Sequence, residues 1–120
     1  MPNPVVHFEI GGRDSEKTQK FFTELFGWKI EMAGPAAMVA TGSDEGIQGH
    51  ITALGHEPYN FVTVYVQVDD LQACLTKAES LGGSTVIPPT DVLGMGAFAW
   101  FTDIDGNTIG LWKPVVASNG

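Results

Sequence analysis

The same strand–helix pattern occurs twice in this chain. The first copy opens with the alternating run Val5–Ile10 and continues into a helical stretch that stops at Gly27. The second copy opens with Phe61–Val68 and continues into a helical stretch that stops at Gly82. Matching features lie about 55 positions apart, and a fixed offset is the sequence signature of an internal repeat. The chain is therefore predicted to fold as two copies of one strand–helix unit.

Both helical stretches have clear start and stop signals. The first is predicted to begin at Asp14 or Ser15, whose side-chain oxygens can cap free N–H groups, and to stop at Gly27. The second is predicted to begin at Asp70 and to stop at Gly82. Each helix has an apolar stripe with the spacing that favours packing against a sheet. The stripes are Thr18, Phe21, Phe22 and Leu25 in the first helix, and Leu71, Cys74, Leu75, Ala78 and Leu81 in the second.

Three short strands are predicted after each helix, so each half reads βαβββ and the fold class is α+β. Turn chemistry separates these strands, including Pro88-Pro89 and the hairpin signal Asp105-Gly106-Asn107. We expect one domain over residues 1–120, with a first module at about 4–54 and a second at about 60–114. The predicted strands are Trp28–Met32, Ala37–Thr41 and Ile47–Ala53 in the first module, and Ser84–Ile87, Ala97–Thr102 and Thr108–Lys113 in the second.

Composition excludes several classes of function. The net charge is −8 with only 6 Lys and Arg residues, so clustered cations for nucleic acid are missing. No apolar run reaches the length of a membrane span, and no basic segment of a secretory signal precedes the first strand. The single cysteine, Cys74, favours a reducing cytoplasm and a packing role in its helix stripe.

Strand alternation divides the side chains between a helix-facing side and an opposite side. The helix side is apolar: Val6, Phe8, Ile10, Ile47, Ile51, Ala53, Val62, Val64, Val66, Val68, Ala99, Phe101, Ile109 and Leu111. The opposite side combines aromatic and polar groups, as small-molecule sites do. A dimer interface or a two-sided core is the alternative. The opposite side carries His7, Glu9, Gln48, His50, Thr63, Tyr65, Gln67, Phe98, Trp100, Gly110 and Trp112.

Four motifs resemble the vicinal oxygen chelate superfamily, which includes glyoxalase I, bleomycin-resistance proteins and extradiol dioxygenases. Phe21–Trp28 is very like the family's F-Y-x-x-x-F-G-W, and Phe101–Asn107 is similar to F-x-D-P-D-G-N. His7 on the first strand and Val68–Leu71 also match, and the resemblance spans roughly Pro4 to Pro114. Gly94–Gly96 and Gly110–Pro114 look like the bacterial glyoxalase-like subgroup.

This resemblance implies paired βαβββ modules whose mixed sheet curls into an open cup with the helices on its outer face. Catalytic members bind a divalent metal through the first and last strands of each module. His7 fits the first of these positions, but Thr63 stands where metal-binding members carry His, and Gly110 replaces a glutamate. The fourth position falls near Gln48 or His50. The resemblance thus implies that the standard metal site is broken in at least two places.

Three functions are compatible with these features. The first is metal-independent binding of a small aromatic or hydrophobic molecule, with His7 as a hydrogen-bonding group. The second is a lyase, isomerase or dioxygenase that holds Zn, Ni, Mn or Fe through His7, Glu9 and His50. The third is a non-catalytic interaction subunit. Because an open aromatic face would be exposed in a monomer, we also predict a homodimer. His56 is expected in a solvated loop between the modules.

Overall fold

The computed structural model describes residues 2–33, 36–53 and 60–115, so the prediction for His56 lies outside the described residues. Within these ranges two helices and eight strands form an α+β protein, which confirms the predicted fold class and the repeated βαβββ order. The elements are β1 (Val5–Gly11), α1 (Ser15–Phe26), β2 (Lys29–Ala33), β3 (Ala36–Ala40), β4 (Gln48–Thr52), β5 (Phe61–Gln67), α2 (Leu71–Ser80), β6 (Ser84–Val92), β7 (Gly96–Thr102) and β8 (Thr108–Pro114).

The chain divides into two compact units. The first unit is Val6–Val64, and the second combines Met1–Val5 with Tyr65–Gly120. Strands follow the order β2-β3-β4-β1 in the first unit and β5-β8-β7-β6 in the second. In both units the strand before the helix pairs in parallel with the last strand, and the other pairs are antiparallel. The division between units falls inside β5, later than the predicted module boundary.

Both helices begin at the predicted caps. Asp14 accepts a hydrogen bond from the Lys17 backbone N–H, and Asp70 accepts one from Ala73. Each carboxylate satisfies an N–H group that has no partner within the helix. Helix α1 stops at Gly27, whose φ of 73° is the left-handed conformation that glycine adopts without steric cost.

In the first unit, the core lies on the predicted helix-facing side of the sheet. Ala37, Val39 and Ile51 are buried, and Phe22 of α1 packs against them. The predicted apolar stripe of α1 is wrong at its edge, because Phe21 and Leu25 are 60% and 57% exposed. Successive helical residues point about 100° apart, so only the middle of this wide apolar face, at Phe22, meets the sheet.

In the second unit, α2 packs through Leu71 and Leu75 onto Val68, Ala99 and Leu111, as predicted. Val66 and Cys74 pack against this cluster, which confirms the packing role of the cysteine.

Besides Phe21 and Leu25, three residues that were predicted to face the helices are exposed, namely Ala53, Val62 and Leu81. Val62 is 75% exposed because it lies about 13 Å along the strand from Val66, the first β5 residue that packs against the α2 cluster. Leu81 is exposed because it follows Ser80, the last residue of α2.

The predicted strand break at Pro88-Pro89 is also wrong. Strand β6 continues from Ser84 to Val92, with register shifts between Thr85 and Ile87 and between Ile87 and Thr90. Proline cannot donate a ladder hydrogen bond, but β6 is the last strand in its unit's order and pairs on one side only. The register shifts leave the two prolines out of the pairing.

Candidate functional site

A chain of polar side chains connects β1 and β4 in the first unit. These strands are parallel neighbours, with Glu9 opposite His50. The His7 Nε2 atom lies 2.6 Å from His50 Nδ1, and His50 Nε2 lies 3.4 Å from Glu9 Oε1. The Thr52 hydroxyl donates a 2.8 Å hydrogen bond to Glu9 Oε2. Glu9 is only 3% exposed, and these partners compensate for the burial of its carboxylate.

The two candidates for the fourth family position, Gln48 and His50, have different hydrogen-bond partners. Gln48 accepts a hydrogen bond from the Thr41 backbone N–H at 2.6 Å, and its amide nitrogen donates to the Thr41 hydroxyl. These bonds hold the Gln48 side chain at an exposed position. His50, and not Gln48, is therefore the β4 side chain that contacts His7.

Burial and the neighbouring His50 lower the pKa of His7 from 6.5 to about 4, while the Glu9 charge opposes this shift. His7 is consequently neutral at pH 7. At 2.6 Å, one of the two facing ring nitrogens donates a proton and the other accepts it. The chain from His7 through His50 to Glu9 can thus bind a polar group or pass a proton without a metal.

The donor atoms of His7, His50 and Glu9 do not converge on one point. Zinc ligands converge on one point at about 2.0–2.2 Å. The two ring nitrogens of His50 instead face different partners, His7 on one side and Glu9 on the other. Among the described residues, no group of three His, Cys, Asp or Glu side chains could hold a metal ion. Thr63 is buried, and its hydroxyl approaches the Val64 carbonyl oxygen.

In the second unit, Tyr65, Gly110 and Trp100 form one row across β5, β8 and β7. The Trp100 indole N–H donates a 2.8 Å hydrogen bond to the Tyr65 hydroxyl, so the tyrosine ring crosses the strand between them. A Cβ atom at Gly110 would lie 2.5 Å from Cδ2 and Cε2 of Tyr65. Tyr65 and Trp100 are 6% and 7% exposed. The ring thus occupies the space that a side chain at position 110 would need.

The next row on the same face contains Gln67, Trp112 and Phe98, which are paired across the same three strands. All three side chains are half-buried. The first row satisfies its own polar groups, whereas in the described ranges the Gln67 amide and the Trp112 indole N–H have no hydrogen-bond partner. The two rows therefore differ in whether their polar side-chain groups are hydrogen-bonded within the described residues.

Sequence reasoning placed all eleven candidates on one face without ranking them. The structure brings three of them together in the first unit and six into two rows in the second, while Gln48 and Thr63 have other surroundings. Thr52, the hydroxyl partner of Glu9, was missed as a site residue. The signal was present, because Thr52 lies two residues after His50 and so shares its face.

A separate groove of about 310 Å³ lies beside α2 in the second unit, on the side of the sheet that faces the helix. Its apolar lining includes Cys74, Leu81, Phe101 and Ile104. Burial raises the pKa of the Cys74 thiol, which disfavours the reactive thiolate. The groove was not predicted from sequence.

A family model described as the Glyoxalase/Bleomycin resistance protein/Dioxygenase superfamily matches residues 5–111. The chain belongs to this superfamily. The match extends from β1 into β8, and it confirms the resemblance seen in the motifs at Phe21–Trp28 and Phe101–Asn107. Neither α1 nor α2 is long and apolar enough to cross a membrane.

Two curated relatives illustrate the breadth of the superfamily. The anthracycline biosynthesis protein DnrV of Streptomyces peucetius is 29% identical in an alignment 130 residues long, and this alignment covers 93% of this chain and 47% of DnrV. A glyoxylase-like domain-containing protein of Didymella fabae is 30% identical over 112 residues, which cover 83% of this chain and 85% of that protein. The chain thus spans about half the length of DnrV.

Solved structures share the fold at low sequence identity. A hypothetical protein from Bacillus halodurans matches with a TM-score of 0.71 at 9% identity, and the match covers 100% of both chains. Methylmalonyl-CoA epimerase from Mycobacterium tuberculosis matches with a TM-score of 0.63 at 17% identity, covering 93% of this chain and 88% of the epimerase. At these identities the likeness establishes the fold alone.

Proposed function

We propose that this superfamily member binds a small aromatic or hydrophobic molecule without a divalent metal. The observation that carries the proposal is the Tyr65 ring, which lies over Gly110 and is hydrogen-bonded to Trp100. The resemblance assigns a metal-binding glutamate to position 110. A glutamate there would have to displace the buried Tyr65 ring. The glycine at position 110 therefore lacks the metal-binding carboxylate, and the tyrosine ring fills the space that such a side chain would need.

The first unit supports the same proposal. The first unit has two histidines, His7 and His50, of the kind that bind the metal in the family. A ring nitrogen of His7 faces a ring nitrogen of His50, and the two do not converge with Glu9 on a common point. The buried Thr63 offers a hydroxyl, which is a poor ligand for a divalent transition metal. The residues at the four positions that bind the metal in the family are therefore not suited to binding a divalent metal here. The proposed function does not involve a metal ion.

The aromatic character of the ligand is supported from two directions. Phe98 and Trp112 are half-buried on the non-helix face of the second unit, where a planar molecule can stack on them. DnrV is named for the biosynthesis of anthracyclines. Because this chain spans about half of DnrV, we propose only the class of ligand and not the activity of the relative.

A metal-dependent lyase, isomerase or dioxygenase is the second candidate function. The observation that favours it is the proximity of His7, Glu9 and His50, which are competent ligand types in one cluster. Their side chains would have to reorient to share a metal ion. Stoichiometric Zn, Ni, Mn or Fe in untagged protein purified without chelator would favour this function over the first.

We propose a homodimer in a reducing, cytoplasmic setting. Phe21 and Leu25 expose apolar surface on α1, which a second copy could cover. Light scattering should then give twice the 12.8 kDa chain mass. A Phe21→Ser/Leu25→Ser variant should shift the mass toward one chain, whereas a monomeric parent protein would contradict the proposal. A partner protein recovered in stoichiometric amount would instead favour a non-catalytic interaction subunit.

The metal-independence of binding can be tested directly. Protein dialysed against EDTA is titrated calorimetrically with 2-naphthol, which is neutral at pH 7 and does not chelate metals. We expect saturable binding that neither excess EDTA nor added Zn²⁺, Ni²⁺ or Mn²⁺ changes by more than about twofold. Binding that requires added metal would contradict the proposal. Methylmalonyl-CoA, which is large and anionic, serves as a negative control because the protein carries a net charge of −8.

A further inference from the structure

The two aromatic rows of the second unit are chemically unequal. In the row of Tyr65, Gly110 and Trp100, the hydroxyl and the indole N–H bond to each other. The row of Gln67, Trp112 and Phe98 is left with one indole donor and one amide that can both donate and accept. A half-buried polar group with no protein partner is available to a ligand at small desolvation cost.

The register of the strands places these groups side by side. Gln67 pairs with Trp112, and Trp112 pairs with Phe98, so all three side chains leave the same face of adjacent strands. Directly paired residues have Cβ atoms about 4.5–5.5 Å apart. Neither Phe98 nor Trp112 makes a ring contact with another described aromatic residue. The Trp112 ring lies beside Gly96, and the accessible parts of both half-buried rings can stack on a ligand, with the Gln67 amide at one end of the row.

Charge further restricts the ligand. The row itself contains no cationic side chain, and the chain has 14 Asp and Glu residues against 6 Lys and Arg. An anionic ligand would meet an unfavourable field and no charged partner. A neutral ring with a hydroxyl or carbonyl oxygen is complementary to both the polar and the apolar groups of the row.

We infer that the ligand of this site is an uncharged, oxygen-bearing planar aromatic compound. Its ring stacks on Phe98 and Trp112, and its oxygen is hydrogen-bonded by the Gln67 amide and the Trp112 indole N–H. This inference rests on the proposed aromatic binding and adds the requirement for oxygen. A ligand with an oxygen should bind more tightly than one without, because a bare ring would cover the Gln67 amide and the Trp112 indole N–H and leave them without a hydrogen bond.

Two matched probes isolate the oxygen. Naphthalene and 2-naphthol share one ring system and differ by a hydroxyl group that is uncharged at pH 7. In ¹H–¹⁵N spectra, the indole signals of the three tryptophans report the site of binding, and a Trp112→Phe variant assigns one of them. We expect 2-naphthol to shift the Trp112 indole signal in a saturable way and to bind at least about fivefold more tightly than naphthalene.

Variants of glutamine complete the test. Gln67→Leu should reduce the preference for 2-naphthol over naphthalene to below about twofold. Gln72→Leu, an exposed change on α2, should leave the preference intact. Equal binding of the two probes, or an unchanged preference in Gln67→Leu, would overturn the inference while leaving aromatic binding in place. If neither 2-naphthol nor naphthalene binds metal-free protein, the proposed function itself fails.

Discussion

Substituting Gly110 with alanine should destabilise the protein, although alanine fits the backbone. Gly110 is buried and does not have a positive φ, so the cost would come from packing. The new Cβ would lie 2.5 Å from two ring atoms of Tyr65, whose hydroxyl is fixed by Trp100. Overpacking costs about 1–3 kcal/mol, and losing the hydrogen bond adds about 0.5–1.5 kcal/mol. We therefore expect the free energy of unfolding to fall by about 2–4 kcal/mol.

Urea denaturation followed by circular dichroism would measure this loss. Gly12→Ala is the matched control, because its Cβ would meet the Thr18 hydroxyl at 2.6 Å and no buried ring. We expect it to cost under about 1 kcal/mol. In a Tyr65→Ala background, Gly110→Ala should be nearly neutral, since the obstructing ring is gone. A Gly110→Ala variant within about 0.5 kcal/mol of the parent, or an equal cost in both backgrounds, would refute the reasoning.

Three further experiments test the electrostatics and the packing of the two units. Lowering the pH from 6.5 to 4 should reduce the free energy of unfolding by about 1–2 kcal/mol more in the parent protein than in His7→Gln. The reason is that the pKa of His7 is about 4 in the folded protein, so His7 takes up a proton on unfolding in this pH range. Equal shifts of the urea midpoints in the two proteins would contradict this. Trp100→Phe and Tyr65→Phe should each lower the free energy of unfolding by about 1–2 kcal/mol. The double variant should lose less than the sum, because each single variant already removes the same hydrogen bond between the two side chains. Strictly additive losses would show that the two side chains do not interact. Phe22→Ala should lower the unfolding free energy by about 2–4 kcal/mol and Leu93→Ala, at a 99% exposed position, by under about 1 kcal/mol, since only Phe22 packs on the core, and thermal melts would reveal a reversed order.

Local chemistry made the helices and the repeat predictable. Caps such as Asp14 and Asp70 act within one turn of helix, and the glycine at position 27 acts through its own φ. Alternation likewise separated the helix-facing residues of most strands correctly. Features that depend on neighbouring strands were harder to predict. Pro88-Pro89 remains within a strand because β6 is unpaired on one side in its unit, and nothing local to the prolines reveals that.

The candidate site was predictable as a face but not as a set of contacts. Alternation assigned Tyr65, Trp100 and Gly110 to the same side, but their alignment in one row depends on the register of three strands. The choice between Gln48 and His50 was also open, because it depends on whether Thr41 captures the glutamine side chain. Long-range pairing of this kind leaves no periodic signal in a single sequence.

Calorimetric titration of EDTA-dialysed protein with 2-naphthol, repeated after addition of Zn²⁺, Ni²⁺ and Mn²⁺, tests the central claim most directly. The account predicts one binding event per chain whose affinity is unchanged by the metals, together with less than about 0.1 equivalent of bound metal by elemental analysis after dialysis. Binding that appears only when one of these metals is restored, in a stoichiometric complex, would contradict it.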